Sequence, residues 1–73
     1  MVDRILMGAK WCPPCQRVKD FLYSKGIDYL YVDIDTEEGL ALAQDWGVRS
    51  IPSMSIEGKI VSSEEEIMGA FSE

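Results

Sequence analysis

The chain has 73 residues, of which 47% are hydrophobic, and its formal net charge is −6. This length supports one domain with a small core, which we expect to span residues 1–73 as a monomer. Neither a basic-then-apolar leader nor an apolar run of about 18 residues is present, so no secretory signal and no contact with a membrane are predicted, and the acidic balance disfavours nucleic acid as a partner.

The first predicted element is a strand from Val2 to Met7, because most of its residues are apolar. Residues 8–11 form the loop that follows its C-terminal end. A helix then runs to about Ser24, where Gly26 provides a stop signal. The core face of this helix is marked by apolar side chains at helical spacing, namely Val18, Phe21 and Leu22.

Both cysteines of the chain lie at the start of this helix, in the segment Trp11-Cys12-Pro13-Pro14-Cys15. Two thiols at this spacing can close a disulfide with each other or pass it to another protein. The thiolate is the attacking species, and Cys12 lies near the predicted N-cap, where unpaired amides and the helix dipole favour negative charge. Lys10 adds a nearby cation, and Trp11 is expected to shield one side of the sulfur.

The two prolines refine this geometry. Proline is tolerated in the first helical turn, and the residue before a proline prefers extended backbone angles, which suits Cys12 as the N-cap. By the same rule Pro14 disfavours a helical Pro13, so the regular helix is predicted to begin at Pro14. Because prolines lack an amide N–H, the Cys15 amide is the predicted donor to the Cys12 sulfur.

Two other uses of a cysteine pair fit this sequence less well. A structural zinc site needs four ligands, and the chain has two cysteines and no histidine. A structural disulfide between Cys12 and Cys15 would close a very short loop and add little stability. A redox-active pair is therefore favoured, and in the absence of other disulfides it indicates a reducing compartment, the cytoplasm.

The second strand is predicted from Ile27 to Ile34. Leu30, Val32 and Ile34 share one face and Tyr29 and Tyr31 the other, which indicates a strand covered on both sides. Strand, helix and strand together form a βαβ unit with a right-handed crossover.

A second helix is predicted over about residues 37–45. Thr36 provides its N-cap and Gly47 its end. Leu40 and Ala43 are the residues expected to face the core, with either Ala41 or Leu42 beside them.

A hairpin follows Pro52. Met54 and Ile56 alternate with two serines, which predicts the third strand, and the fourth is Ile60-Val61 after a tight turn at Glu57-Gly58-Lys59. The order continues with a short helix that begins with a capping box, Ser63 at the N-cap and Glu66 three residues later, and buries Ile67, Met68 and Phe71.

The complete order is β-α-β-α-β-β-α, an α/β protein with a four-stranded mixed sheet and helices on both faces. This order, with W-C-P-P-C after the first strand and Ser50-Ile51-Pro52 before the third, resembles the thioredoxin fold over nearly the whole chain. The length is similar to that of a minimal glutaredoxin. The resemblance implies that Cys12 is the exposed nucleophile that attacks a target disulfide and that Cys15 is the resolving thiol.

The resemblance also implies a substrate-binding surface. Pro52 would be a cis proline beside the redox-active disulfide. The alternative is an ordinary trans proline at a strand start, and the paired motifs favour the cis form. Ile51 would offer backbone groups to a substrate strand. Trp11, Pro13 and Ser50 would line the docking surface.

Two departures from the families are visible. Thioredoxins usually carry a buried aspartate six residues before the nucleophile, which acts as a proton relay, and here that residue is Leu6. Glutaredoxins commonly hold glutathione with a T-V-P triplet and a later glycine pair, where this chain has Ser50-Ile51-Pro52 and a single Gly58. The active site thus resembles thioredoxins and the scaffold glutaredoxins.

The function implied is that of a thiol–disulfide oxidoreductase that reduces protein disulfides, ribonucleotide reductase among the plausible targets. No bound metal or cofactor is expected, and the external reductant would be a flavin-dependent thioredoxin reductase with NADPH, or glutathione. The alternatives are a glutathione-dependent or iron–sulfur carrier and a redox-inert interaction domain.

Charge is unevenly distributed along the chain. Residues 1–25 hold five basic and two acidic side chains, whereas the remainder holds two basic and eleven acidic ones. The part that carries the cysteines is therefore mildly basic, which could steer acidic partners towards them. An ordinary solvated helix face explains the same charges equally well.

Overall fold

A computed structural model describes residues 4–72. It contains the predicted order of seven elements, so the predicted α/β class with a mixed sheet is confirmed. The elements are β1 Arg4–Gly8, α1 Pro13–Ser24, β2 Leu30–Asp33, α2 Glu37–Trp46, β3 Ser53–Ile56, β4 Lys59–Ser62 and α3 Glu64–Ala70. Val2, which the sequence assigned to the first strand, lies outside the described residues.

The four strands form one sheet in the order β2-β1-β3-β4. β1 pairs in parallel with β2 and antiparallel with β3, and β3 pairs antiparallel with β4. Since β1 and β2 are parallel, their carboxyl ends at Gly8 and Asp33 lie side by side. The loops that follow these two strands therefore start from the same edge of the sheet.

The core is built on both faces of β1, where Leu6 and Met7 are both fully buried although they point to opposite sides. On the Leu6 side it joins side chains from α1, β3 and α3, namely Val18, Leu22, Met54 and Ile67. Helices α1 and α3 also pack against each other, and α2 packs against β2. The sheet thus has α1 and α3 on one face and α2 on the other, as predicted.

Side-chain caps begin α2 and α3. The Gly39 N–H donates to Thr36 Oγ1 at 3.0 Å, and the Glu66 N–H donates to Ser63 Oγ at 3.3 Å. In a complete capping box the Glu66 side chain would accept a hydrogen bond from the Ser63 N–H. Here the Ser63 N–H donates to the Pro52 carbonyl oxygen instead, at 3.0 Å. The start of α3 is therefore hydrogen-bonded to the loop that contains Pro52.

Several sequence predictions need correction. β2 begins at Leu30 instead of Ile27, and Leu30, at the start of this edge strand, is exposed. The rest of the strand is half-buried, with Tyr31 against the core on one side and α2 packed against the strand. Leu40 is also exposed, because Gly39 and Ala43 occupy the buried side of α2. Helix α1 begins at Pro13, one residue before the predicted start.

The hairpin between β3 and β4 has a two-residue turn, Glu57-Gly58, and Lys59 already pairs with Ile56. Both turn residues have positive φ, 51° and 87°. A non-glycine residue in this region costs about 1 kcal/mol, and asparagine tolerates it best.

We expect Glu57→Asn to raise the free energy of unfolding by about 0.5–1 kcal/mol because it relieves this backbone strain. Chemical denaturation of the reduced protein measures the change. Glu57→Ala is the matched control, since alanine removes the charge without favouring positive φ. An equal gain for both variants would show that the carboxylate, and not the backbone angle, is the source of the cost.

Candidate active site

The two cysteines lie at the first turn of α1. Cys12 is the N-cap, with extended φ and ψ of −101° and 104°, and Pro13 and Pro14 occupy the first two helical positions. The Cys15 N–H donates to Cys12 Sγ at 3.3 Å. The predicted N-cap and the predicted amide donor are both confirmed, and both cysteines are free thiols.

The sulfur of Cys12 is less accessible than predicted. Only 5% of the Cys12 surface is exposed, and Cys15 is fully buried. The two cysteines form a cluster with Ala9, against which Ile34 and Ile51 pack. The expectation of an exposed Cys12 is therefore wrong for this dithiol form, because loops from three strands converge on a small side chain. Cys12 is still the more accessible of the two cysteines.

Burial raises the pKa of the Cys15 thiol to about 12, and the neighbouring Cys12 sulfur adds to the rise. Removing a thiolate from water penalises its charged form. The Cys15 side chain is consequently a protonated thiol at neutral pH.

This shift predicts how the stability of the reduced protein depends on pH. The folded state holds the Cys15 proton up to about pH 12, whereas an ordinary thiol releases it near 9.0. The stabilisation is therefore complete below about pH 9 and is lost as the pH rises towards 12. We expect the free energy of unfolding to fall over this window, with a slope of at most about 1.4 kcal/mol per pH unit.

Cys15→Ala provides the control for this pH dependence. Tyrosines and lysines also titrate above pH 9, but they are common to both proteins, so the difference between wild type and variant isolates the thiol. Urea denaturation under a phosphine reductant at several alkaline pH values measures it. Parallel curves for the two proteins would contradict the assigned pKa.

The loop before β3 closes the site from the other side. The Ile51–Pro52 peptide bond is cis, as the resemblance implied, and Pro52 is buried. The Ser53 hydroxyl donates to the Ser50 carbonyl oxygen at 2.7 Å, and α3 binds the Pro52 carbonyl oxygen as described above. These bonds hold Ile51 against the cysteine cluster.

Two grooves flank Ile51 and Ser50. One, of about 240 Å³, is mainly apolar and is lined by Trp11, Ile34, Leu40, Ala43, Gln44, Val48, Arg49, Ser50 and Ile51. The other, of about 530 Å³, runs along Pro14, Ser50, Ile51, Pro52, Ser63, Glu64 and Glu65. The structure thus places three of the other predicted residues, Trp11, Ile51 and Pro52, near Cys12 and Cys15, and Ser50 lines both grooves. Pro13 is exposed at the helix start.

Asp35 is a site residue that sequence reasoning missed. Trp11 is 65% exposed, and its indole Nε1–H donates to Asp35 Oδ2 at 2.9 Å. Asp35 follows β2 as Trp11 follows β1, so the parallel pairing of these strands is what brings the two residues together. The position of Asp35 just after a predicted strand was the available signal.

A second missed feature links α1 to α3. Arg17 forms a two-point ion pair with Glu64, with 2.9 Å between Nη2 and Oε1, and this pair holds the pKa of the Glu64 carboxyl below its usual range. One of the basic charges that the sequence placed near the cysteines is therefore neutralised locally.

Within residues 4–72, no cluster of three or more histidine, cysteine, aspartate or glutamate side chains is arranged to bind a metal ion. Each helix in the same range is too short or too polar to traverse a bilayer.

Comparison with known proteins places this geometry among redox proteins. The family model described as glutaredoxin matches residues 5–61. Thioredoxin H1 of Arabidopsis thaliana is 33% identical over 85% of this chain and 56% of its own length, so the chain spans about half the length of the curated relatives it matches.

Solved structures show the same architecture. Buckwheat glutaredoxin, solved as a complex with glutathione, is 26% identical with a TM-score of 0.75 over 92% of this chain and 66% of that one. The glutaredoxin-like NrdH-redoxin from Escherichia coli, described as having a thioredoxin-like activity profile, has a TM-score of 0.78 over 96% and 95% of the two chains. At 15% identity, the latter likeness concerns the fold alone.

Proposed function

Because this chain belongs to the glutaredoxin family of thioredoxin-fold redox proteins, we propose that it reduces protein disulfides by dithiol exchange through Cys12 and Cys15. The observation that carries the proposal is the hydrogen bond from the Cys15 N–H to Cys12 Sγ at a helix N-cap. An N–H donor and a helix N-terminus both favour a thiolate, which is the attacking species. The buried partner thiol lies in the same turn.

The reaction proceeds in two steps. The Cys12 thiolate attacks one sulfur of the target disulfide, which forms a mixed disulfide and releases the other target sulfur as a thiolate. The Cys15 thiol then loses its proton and attacks Cys12 Sγ. The Cys12–Cys15 disulfide forms, and the second target sulfur leaves as a thiolate that takes up a proton. Two electrons pass from the cysteine pair to the target.

The burial of the two sulfurs explains the order of these steps. Cys15 is fully enclosed, and a protonated thiol is a poor nucleophile, so it does not compete for the incoming disulfide. Cys12 keeps a small exposed fraction, 5%, and its sulfur accepts a hydrogen bond from the Cys15 N–H. The first attack is therefore assigned to Cys12 and the resolving attack to Cys15.

Ile51 and the two grooves beside it are the proposed docking surface for the target. Trp11 and Leu40 offer exposed apolar area in one groove, and the cis peptide before Pro52 fixes the backbone next to the cysteines. An extended target segment along Ile51 would bring its disulfide to Cys12.

Electrons must return to the oxidised cysteine pair from another molecule. We propose two sources, a flavin-dependent thioredoxin reductase that uses NADPH, or glutathione, and a cytoplasmic setting in which either is available. The curated thioredoxin relatives support the first source, and the buckwheat glutaredoxin–glutathione complex supports the second.

An assay with two reductants tests the proposal. The oxidised protein is mixed with insulin and NADPH, and either thioredoxin reductase or glutathione with glutathione reductase is added. NADPH consumption that requires this protein is expected in at least one arm and is expected to be absent with Cys12→Ser. If neither arm reduced insulin above the Cys12→Ser level, the proposed function would be wrong.

A further inference from the structure

The Tyr31 hydroxyl group is buried and, within the described residues, has no hydrogen-bond partner. A buried polar group without a partner is costly, so this hydroxyl group beside the core calls for an explanation. Tyr31 lies on β2 opposite Leu6 of β1, and both side chains point to the face covered by α1. The hydroxyl is thus directed to the same side of the sheet as Cys15.

Gly8 brings the hydroxyl and the Cys15 sulfur together. A side-chain Cβ at Gly8 would lie 3.1 Å from Cys15 Sγ and 3.3 Å from the Tyr31 hydroxyl oxygen. Because glycine has no Cβ, residue 8 leaves open the space that the sulfur and the phenol oxygen both approach. Both groups therefore border one small space behind the redox-active turn.

The ring of Tyr31 is held in place by a cation on the same helix as Cys15. Lys19 Nζ lies 4.3 Å from the ring centroid, within the range of a cation–π contact. Lys19 follows Cys15 by one helical turn, so it and the sulfur approach Tyr31 from the same face of α1. This contact contributes to holding the ring beside α1.

We propose that Tyr31 is a further catalytic residue, whose hydroxyl donates a hydrogen bond to the Cys15 sulfur when that sulfur ionises to resolve the mixed disulfide. The inference rests on the proposed dithiol exchange. The phenol acts as a donor, so the Cys15 proton passes to solvent and not to Tyr31.

The charged and titratable groups around Tyr31 agree with this role. Burial raises the pKa of Tyr31 to about 12, and the charges of Asp33, Cys15, Cys12 and Tyr29 add to the rise. Lys19 provides the one positive charge in contact with the ring among the described residues. Tyr31 consequently keeps its proton throughout the working range of pH and remains available as a donor.

The test separates the two chemical steps. The reduced protein is mixed in a stopped-flow instrument with dithionitrobenzoate, an aromatic disulfide that releases one coloured thiolate when Cys12 attacks and a second when Cys15 resolves the mixed disulfide. Cys15→Ser, which can release only the first thiolate, identifies the first phase. Tyr31→Phe removes the hydroxyl, and Tyr29→Phe makes the same chemical change outside the Cys15 pocket.

For Tyr31→Phe we expect an unchanged first phase and a second phase slowed at least about tenfold, because a hydrogen bond to a charged group is lost. The pH profile of the second phase should move to higher pH. Tyr29→Phe should match wild type in both phases. A second phase of Tyr31→Phe with the rate and pH profile of wild type, or an equal slowing of both phases, would overturn the inference.

Gly8→Ala provides an independent variant should Tyr31→Phe fail to fold. Its methyl group would lie 3.1 Å from both Cys15 Cβ and Cys15 Sγ and 3.3 Å from the Tyr31 hydroxyl oxygen, so it crowds both partners of the proposed hydrogen bond. The same selective slowing of the second phase is expected, and an unchanged second phase would count against the role of Tyr31. Failure of the dithiol mechanism itself would look different, because wild type would then release only one thiolate.

Discussion

Replacing Cys12 with serine is expected to lower the rate of disulfide reduction by several orders of magnitude. A serine hydroxyl at the same N-cap is not ionised at neutral pH, and no other thiol can reach the target because Cys15 is fully buried. Cys15→Ser should behave differently. Its Cys12 can still attack, but the reaction should stop at the mixed disulfide. Insulin reduction at a fixed supply of dithiothreitol measures the loss in both variants.

Trapping the intermediate distinguishes the roles of the two cysteines. After incubation with an oxidised target, Cys15→Ser should carry one covalently attached target chain, visible on a non-reducing gel and released by reductant. Cys12→Ser should carry none. The reverse pattern would assign the first attack to Cys15 and would contradict the order inferred from the burial of the two sulfurs.

Gly39→Ala is expected to lower the free energy of unfolding by about 3 kcal/mol, although alanine is the better helix former by about 1 kcal/mol. The new Cβ would lie only 1.9 Å from the Asp33 carbonyl oxygen and 2.9 Å from Thr36 Oγ1. Those two atoms are hydrogen-bonded to each other at 2.7 Å and form the turn between β2 and α2. The turn must open to admit the methyl group.

Gly69→Ala is the matched control, since Gly69 is also inside a helix but a Cβ there would meet nothing within 4 Å. This variant should gain about 0.5–1 kcal/mol from helix propensity. Urea denaturation of both proteins in the reduced state gives the comparison. If Gly39→Ala were as stable as Gly69→Ala, the turn between β2 and α2 would be more adaptable than its hydrogen bonds indicate.

The fold was predictable from local signals that agree with one another. Apolar spacing marks α1, Thr36 and Gly47 bound α2, and alternation after Pro52 marks β3. The proposed redox centre was equally visible, because a pair of cysteines around Pro13-Pro14 has few other structural uses. Such features depend on residues close together in the chain, which a sequence displays directly.

The residues that the sequence analysis misplaced or missed all depend on contacts between segments that are far apart in the chain. Leu30 reads as a core residue until the strand order places β2 at the edge of the sheet. Asp35 and Tyr31 come close to Trp11 and Cys15 only because β1 and β2 are paired in parallel with a particular register. The near-complete burial of Cys12 likewise depends on Ile51, which arrives from almost forty residues further along the chain.

Ile51 packs against the cluster that contains Cys12 and also lies on the proposed docking surface for the target. A molecule that cannot engage this loop finds only a narrow opening at Cys12, whereas one that lies along the loop contacts Ile51 as it approaches. On the proposed docking surface, access to the Cys12 sulfur therefore depends on binding of the target along Ile51 as well as on diffusion. A thiol enclosed in this way is shielded from bulky electrophiles that do not bind along the loop.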